Sequence, residues 1–361
     1  MDRKNRFSLL FLCLAVAGCG SCAATRGNDP VHSKTKKDDP ALEDIRQFVR
    51  EVCKSRLLHE MPGEGVDARI APARGGRLMF FCPSESQTNG SSVSESACRG
   101  EPNALWTAPP NSIPTAGWDN HGGEKTWVGD MSLWRGFDPK GRRWPPPAWF
   151  DQDELEVVSS SPTGLVLRSD VHTNGGWRVA LERAFRFEGD RLVVRESLLS
   201  DSADDPAPND PRRVWSVTQV PFSERLAARL VGEGRLVPSA GFPERGERHG
   251  DWILFDLATA PDRAALACDA DALAVEGSAG WLVVSQRADA RFLGAFAKPG
   301  RALVYTTGAK PDAPAEAYTE LEFVALGPAA AQEISFRILP PGREPWDAEN
   351  ATAGTAAAAA P

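Results

Sequence analysis

The spacing of apolar positions changes once along the chain. Leu42, Ile45, Val49, Val52 and Leu57 recur at helical intervals behind Asp39, a capping residue, and Pro40, which suits a first turn. This predicts one amphipathic helix with its connection over residues 40–64. After residue 64 the period shortens. Arg77–Phe81 reads as a strand entered through Gly75-Gly76, and from residue 153 short β-rich runs follow one another between turn residues. They are Leu155–Ser159, Gly164–Val171, Trp177–Phe187, Arg191–Leu199, Val214–Val220, Trp252–Leu257, Ala264–Cys268, Trp281–Ser285, Ala302–Thr307, Tyr318–Ala325 and Ile334–Leu339. Asn174-Gly175-Gly176 and Glu188-Gly189-Asp190 mark compact turns between neighbouring runs. A dozen or so strands with little helix between them predict an all-β fold, a large antiparallel sandwich over residues 65–342. No internal repeat is present. Residues 343–361 end in an alanine-rich, low-complexity tail.

The first residues break this pattern. Arg3, Lys4 and Arg6 precede an apolar run, Phe7–Gly18, that is too short to span a bilayer as a mature helix. The run ends in Val16-Ala17-Gly18-Cys19, which resembles the bacterial lipobox. That resemblance implies a signal peptide over 1–18, lipidation of Cys19, and a cell-envelope protein held to a membrane by its N-terminal lipid alone. The membrane would be the outer one in a Gram-negative cell; a plain secretory signal is the alternative. Residues 19–39 are polar and without periodicity, so they read as a flexible tether.

Composition narrows the partners. Of 361 residues, 42% are hydrophobic and 25% charged, enough for a sizeable core. A formal net charge of −8 gives no overall attraction to nucleic acid or to an anionic bilayer. Export permits disulfides, and Cys82 and Cys98 bracket a Ser- and Asn-rich stretch whose closure would stabilise the fold by about 3 kcal/mol; two reduced thiols are the alternative. Walker, dinucleotide, zincin, nucleophile-elbow and EF-hand patterns are absent, and the five His are scattered, so no cofactor or metal is expected. A calcium site built from Asp and backbone oxygens stays open.

One segment is chemically dense. The chain has 11 Trp against 2 Tyr, and six Trp fall between Trp106 and Trp149. Within that stretch Gly117–Trp127 reads GWDNHGGEKTW, and Trp144-Pro145-Pro146 follows. Aromatic faces beside amides, carboxylates and a lysine suit a sugar ring, whose C–H face stacks while its hydroxyls hydrogen-bond. A small satellite core beneath a loop is the competing reading.

The pattern Trp-x-Asn-x-Gly-Gly-x-Lys-x-Trp over 118–127, with the later Trp-Pro-Pro, resembles an uncharacterised family of the galactose mutarotase-like superfamily. Trp215–Val220 and Tyr318–Phe323 before Gly327-Pro328 resemble it too. The resemblance implies a β-supersandwich with a sugar-binding cleft on one sheet. Its members include epimerases, hydrolases, lyases and non-catalytic domains, so the fold selects no reaction. Glu322 resembles the mutarotase catalytic Glu, with Glu320 on the same face. Where the mutarotase His would fall, this chain has Thr218 and Gln219, and Gln cannot shuttle a proton.

The expected site follows. Trp118, Trp127 and Trp144 stack a sugar; Asn120, Lys125 and Gln219 fix its hydroxyls or an acid group; His121 with Glu320 or Glu322 transfers protons. His172 is a weaker substitute for His121. Lys125 has two further readings, a base if burial lowers its pKa, or an internal ion pair with Asp119 or Glu124. A non-catalytic carbohydrate-binding module and a scaffold lipoprotein remain as alternatives to an enzyme.

Overall fold

The computed structural model describes residues 58–84, 103–107, 120–129, 131–137, 140–141, 144–174, 177–200, 213–287, 301–310, 312, 316–325 and 331–347. The expected N-terminal helix, signal, tether and tail lie outside these residues, apart from 58–64 and 343–347. So do Cys19, Cys98 and Trp118.

The strands are β1 (His59–Pro62), β2 (Val66–Ala71), β3 (Arg77–Pro83), β4 (Glu124–Val128), β5 (Glu156–Ser161), β6 (Gly164–Arg168), β7 (His172–Asn174), β8 (Trp177–Glu188), β9 (Arg191–Ser200) and β10 (Val214–Pro221). They continue with β11 (Arg225–Leu230), β12 (Leu236–Pro238), β13 (Glu247–His249), β14 (Trp252–Asp256), β15 (Ala264–Cys268), β16 (Ala270–Gly277), β17 (Gly280–Arg287), β18 (Arg301–Thr306), β19 (Tyr318–Val324) and β20 (Ala331–Leu339). Two short helices, α1 (Met131–Phe137) and α2 (Ala148–Asp151), follow β4.

Every pairing among these strands is antiparallel. One sheet runs β1-β2-β3-β4-β10-β19-β18-β15-β12, and the other runs β13-β14-β11-β16-β17-β20-β9-β8-β6-β5 with β7 also on β8. This is the two-sheet all-β sandwich that the short strand runs imply. Two expectations need correction. Residues 59–62 form an edge strand of the first sheet, so the sandwich begins before residue 65. Residues 124–128, part of the Trp-rich segment expected to hold a ligand and not predicted as a strand, form a central strand between β3 and β10.

Alternation decides which side chains face inward. On β8 the inward series is Val179, Leu181, Arg183 and Phe185, all buried. The main core joins both sheets through residues such as Phe81, Phe185, Leu192, Phe255, Leu321, Phe323 and Phe336. A second cluster gathers Trp127, Trp134, Trp149, Phe150, Leu181, Leu198 and Trp215.

A charged row separates the two clusters. Arg183 lies between Leu181 of the aromatic cluster and Phe185 of the main core, and Glu196 lies between Leu198 and Val194 in the same way. Both are fully buried, as is Glu124. The Arg183 guanidinium donates to a Glu124 carboxylate oxygen and to the Gly76 carbonyl, and sits 3.7 Å from Glu196. Thr126 Oγ1 lies 2.5 Å from Glu196 Oε1, and Gln332 Nε2 donates to Glu196 Oε2 at 2.7 Å. Burial, then the neighbouring Glu124, pushes the Glu196 carboxyl up to about 8. One guanidinium facing two carboxyls in a dry interior leaves one of them to hold a proton at neutral pH.

Candidate functional site

The candidate site is the outer face of the first sheet where β4, β10 and β19 lie side by side. Register sets its geometry. Val217 pairs with Lys125 on one side and Glu322 on the other; Trp215 pairs with Trp127; Gln219 pairs with Glu320. With a period of two, Lys125, Trp127, Trp215, Val217, Gln219, Glu320 and Glu322 therefore share one face. Glu124 and Thr126, the intervening residues of β4, point into the charged row inside the sandwich.

The turn entering β4 explains the Gly-Gly of the sequence motif. Gly122 and Gly123 take φ values of 78° and 72°. A Cβ at Gly122 would overlap the Trp106 carbonyl oxygen, and one at Gly123 the Leu78 carbonyl oxygen. Glycine is required at both on conformation and on space. Behind the turn, the Arg77 guanidinium of β3 donates to the Gly122 carbonyl at 3.0 Å and to Asp151 Oδ1 of α2 at 2.8 Å. Trp127 Nε1 donates to the same Asp151 oxygen at 2.7 Å. Arg77 and Asp151 are fully buried and tie turn, sheet and helix together. The sequence reading singled out neither; a lone arginine opening an apolar strand, Arg77-Leu78-Met79-Phe80-Phe81, was the available signal.

Burial and hydrogen bonding then assign the polar groups. Lys125 is fully buried, with Nζ 4.9 Å from the Trp127 ring centroid and 3.4 Å from Asn120 Oδ1. Burial, followed by repulsion from Arg77, lowers its ammonium pKa to about 8. Glu322, 4% exposed, accepts from Trp215 Nε1 at 3.0 Å, and burial together with Glu320 pushes its carboxyl up to about 8. Glu320 is half-buried, accepts from Gln219 Nε2 at 2.6 Å, and is also raised by burial, against the pull of Lys125. The other amide atom of Gln219, Oε1, is buried and has no hydrogen-bond partner among the described residues. A fully buried acceptor left unmatched costs about 1–3 kcal/mol unless a donor is supplied.

His121 is held differently from the expectation. Its Nδ1 lies 3.2 Å from an Arg74 guanidinium nitrogen, and burial with the Arg77 and Arg74 charges lowers its pKa to about 4. At neutral pH the imidazole is uncharged and accepts from Arg74. That environment suits a hydrogen-bonding group better than a proton donor. His172 stacks on Trp149 at 4.5 Å, among the aromatic residues rather than beside the carboxyls.

The tryptophans also divide. Trp127 is 4% exposed and meets Trp134, Trp144 and Trp215 edge-on, with Lys125 over its ring. No open ring face remains for a sugar, so its role is to floor the site. Trp144, half-buried on Trp127 and Trp134, keeps accessible surface. Trp106 and Tyr318, centroids 4.6 Å apart, form a further aromatic pair at the Gln219 end, where the Trp106 amide donates to the Gln219 carbonyl. Sequence reasoning named neither as a site residue.

Cys82 is buried on β3, with Sγ 4.0 Å from the Asp67 carbonyl; its expected pairing with Cys98 involves a residue outside the described ones. Burial pushes the Cys268 thiol up to about 12, so it is inert as a nucleophile. Among the described residues no group of three or more His, Cys, Asp or Glu side chains is arranged to hold a metal, and no helix is long and apolar enough to cross a membrane.

No protein-family model matches the chain, and no curated protein matches it in sequence. Solved structures do resemble it in outline. A protein described as a candidate aldose 1-epimerase from Escherichia coli K12 is 14% identical over 78% of this chain and 99% of its own, with a TM-score of 0.40. A galactose mutarotase-like protein from Clostridium acetobutylicum is 8% identical, covering 77% of this chain and 93% of that one, at 0.43. A Synechocystis protein is 12% identical over 78% and 95%, at 0.46. The class assigned to this chain, a two-sheet antiparallel β-sandwich, rests on its own strand pairing.

Proposed function

We propose that the protein binds carbohydrate on the outer face of β4, β10 and β19, and that Glu322, Glu320 and Lys125 there form a proton-transfer set. One observation carries this reading. A lysine with its pKa brought down to about 8 and a carboxyl brought up to about 8 share a cross-strand row, beside a second carboxyl whose pKa is also raised. Groups shifted toward neutrality from opposite sides hold and release protons near pH 7–8, which is what acid–base chemistry requires. The half-buried Asn120, His121, Glu320 and Trp144 make the reachable rim, and the unmatched Gln219 oxygen asks for a donor such as a sugar hydroxyl.

The galactose mutarotase-like resemblance of the 118–127 and 318–323 segments supports the same ligand class. The lipobox-like Val16–Cys19 supports placing the protein on the bacterial cell envelope, anchored through lipid at Cys19. A second reading keeps the ligand and drops the reaction. It draws on the near-complete burial of Lys125 and Glu322, which puts substrate contact at Glu320 and leaves the other two as supports.

The test is a thermal-shift and turnover screen of the full chain against mono- and polysaccharides, repeated on Glu320→Gln and Glu322→Gln. An enzyme loses turnover in both variants while keeping most of its saccharide affinity in Glu322→Gln. A binding module shows no turnover, and loses affinity in Glu320→Gln alone. A folded protein that takes up no saccharide ends the proposal.

A further inference from the structure

The opposite side of the sandwich carries a second built feature, independent of the reading above. On the outer face of the second sheet, Arg229 of β11 pairs with Ala272 of β16, which pairs with Ser285 of β17, which pairs with Ser335 of β20. Small side chains at three successive strands leave a groove of about 90 Å³. That is about three waters at roughly 30 Å³ each. Trp252 and Arg229 wall one side; Arg337 and Arg191 stand on the other, and among the described residues no acidic side chain lines it.

The guanidiniums are fixed in place. Arg229 Nε donates to Asp271 at 2.7 Å and its guanidinium lies 5.8 Å from the Trp252 ring centroid; Arg337 Nε donates to Asp190 at 2.6 Å. Their side chains are 26% and 22% exposed, so both lie largely against the sheet. Both Asp residues hold the forks from outside the groove. The floor offers the Ser285 and Ser335 hydroxyls, 2.7 Å apart. Arginine side chains and hydroxyls around a groove with no carboxylate among its lining residues suit the oxygens of an anion, which guanidinium binds through charge-assisted hydrogen bonds.

We propose that this groove binds an oxyanion, either a free inorganic anion or the sulfate ester or carboxylate of a larger ligand. The test is calorimetric titration of the full chain with sodium sulfate at constant ionic strength, with sodium glucuronate and glucose as separate arms. Sulfate saturates the protein, and Arg337→Gln weakens it at least tenfold, whereas Lys125→Met on the opposite face leaves it unchanged. Glucuronate binding that Arg337→Gln weakens and Lys125→Met leaves unchanged, without glucose binding, assigns a carboxylate carried on a sugar; sulfate alone assigns the inorganic anion or a sulfate ester. Sulfate also stabilises proteins generally by exclusion from their surfaces, so a response that never saturates overturns the proposal. So does saturable binding that survives in Arg337→Gln. Should that variant fail to fold, Ser285→Ala takes its place; an unchanged sulfate affinity there, with no change in tryptophan emission on titration, likewise overturns it.

Discussion

Glu124 and Lys125 are neighbours on one strand and sit in two different kinds of buried charge. Glu124 points between the sheets and pairs with Arg183, which also faces Glu196; Thr126 and Gln332 hydrogen-bond Glu196, and every residue of the set is nearly or fully buried. Lys125 points outward to Glu320, Glu322 and Gln219, a set that reaches the surface through half-buried Asn120, His121 and Glu320. The inner set is sealed and its proton has nowhere useful to go. The outer set has an exit and an unmatched acceptor. Burial alone therefore does not mark a site; burial next to an accessible rim does.

The largest effect that would break this comparison is on the inner set. Arg183→Met leaves two carboxyls without their guanidinium, and urea unfolding is expected to show a loss of about 3–5 kcal/mol. Gly123→Ala strikes the turn that aims β4, where a positive φ and overlap with the Leu78 carbonyl both oppose a Cβ. A loss of about 1–3 kcal/mol by the same assay is expected, with the outer face disturbed along with the strand.

The pH dependence sharpens the comparison further. Glu196 and Glu322 have folded pKa values raised to about 8, so between about pH 4.5 and 8 the folded state binds more protons than the unfolded. Stability then falls as pH rises through that window, by up to about 1.4 kcal/mol per pH unit for each group. Lys125, lowered to about 8, acts oppositely above that pH, where stability is regained as the unfolded lysine loses its proton toward 10.5. Glu196→Gln keeps the shape of the protonated acid, so a series of unfolding curves from pH 5 to 8 is expected to show a shallower slope with little change at pH 5. A smaller stability effect is expected for Glu320→Gln, about 1 kcal/mol, because glutamine keeps the side chain's size while the hydrogen bond from Gln219 loses its charged acceptor. Thermal melts check this, and saccharide binding is where that variant is expected to fail.

Period-two patterning made most strands readable, with Ala264–Cys268 matching to the residue and Tyr318–Val324 within one. It missed β4 because Glu124-Lys125-Thr126 has no apolar alternation: one side of that strand faces a buried charged row and the other a buried lysine. The short strands β1, β7, β12 and β13 offered too few residues for a period to show, and the longer β2, β11 and β16 also went unread, the last two because their Ala-rich sequences, RLAARL and ADALAVEG, carry little β propensity. Lys125, Gln219, Glu320 and Glu322 were legible as a group through the motif and the same-face argument, and β10 is what brings them together. The inner set was hidden for a different reason. Arg183 and Glu196 stand at core-facing positions of otherwise apolar series, Leu181-x-Arg183-x-Phe185 and Val194-x-Glu196-x-Leu198, and a charge in such a register is readable only once its partner strand is known. The burial of Trp127 could not be anticipated either, since a tryptophan that floors a site and one that stacks a ligand have the same sequence signature.

The central claim is that the outer face of β4, β10 and β19 takes up a sugar and exchanges protons with it. Its most direct test is calorimetric titration of the best saccharide from the screen into the wild type and Glu320→Gln, at pH 6, 7, 8 and 9. Wild-type affinity is expected to change through pH 8, as Glu322 and Lys125 titrate, and to fall at least tenfold in Glu320→Gln at every pH. Affinity that is flat across pH 8 and equal in the two proteins would contradict it.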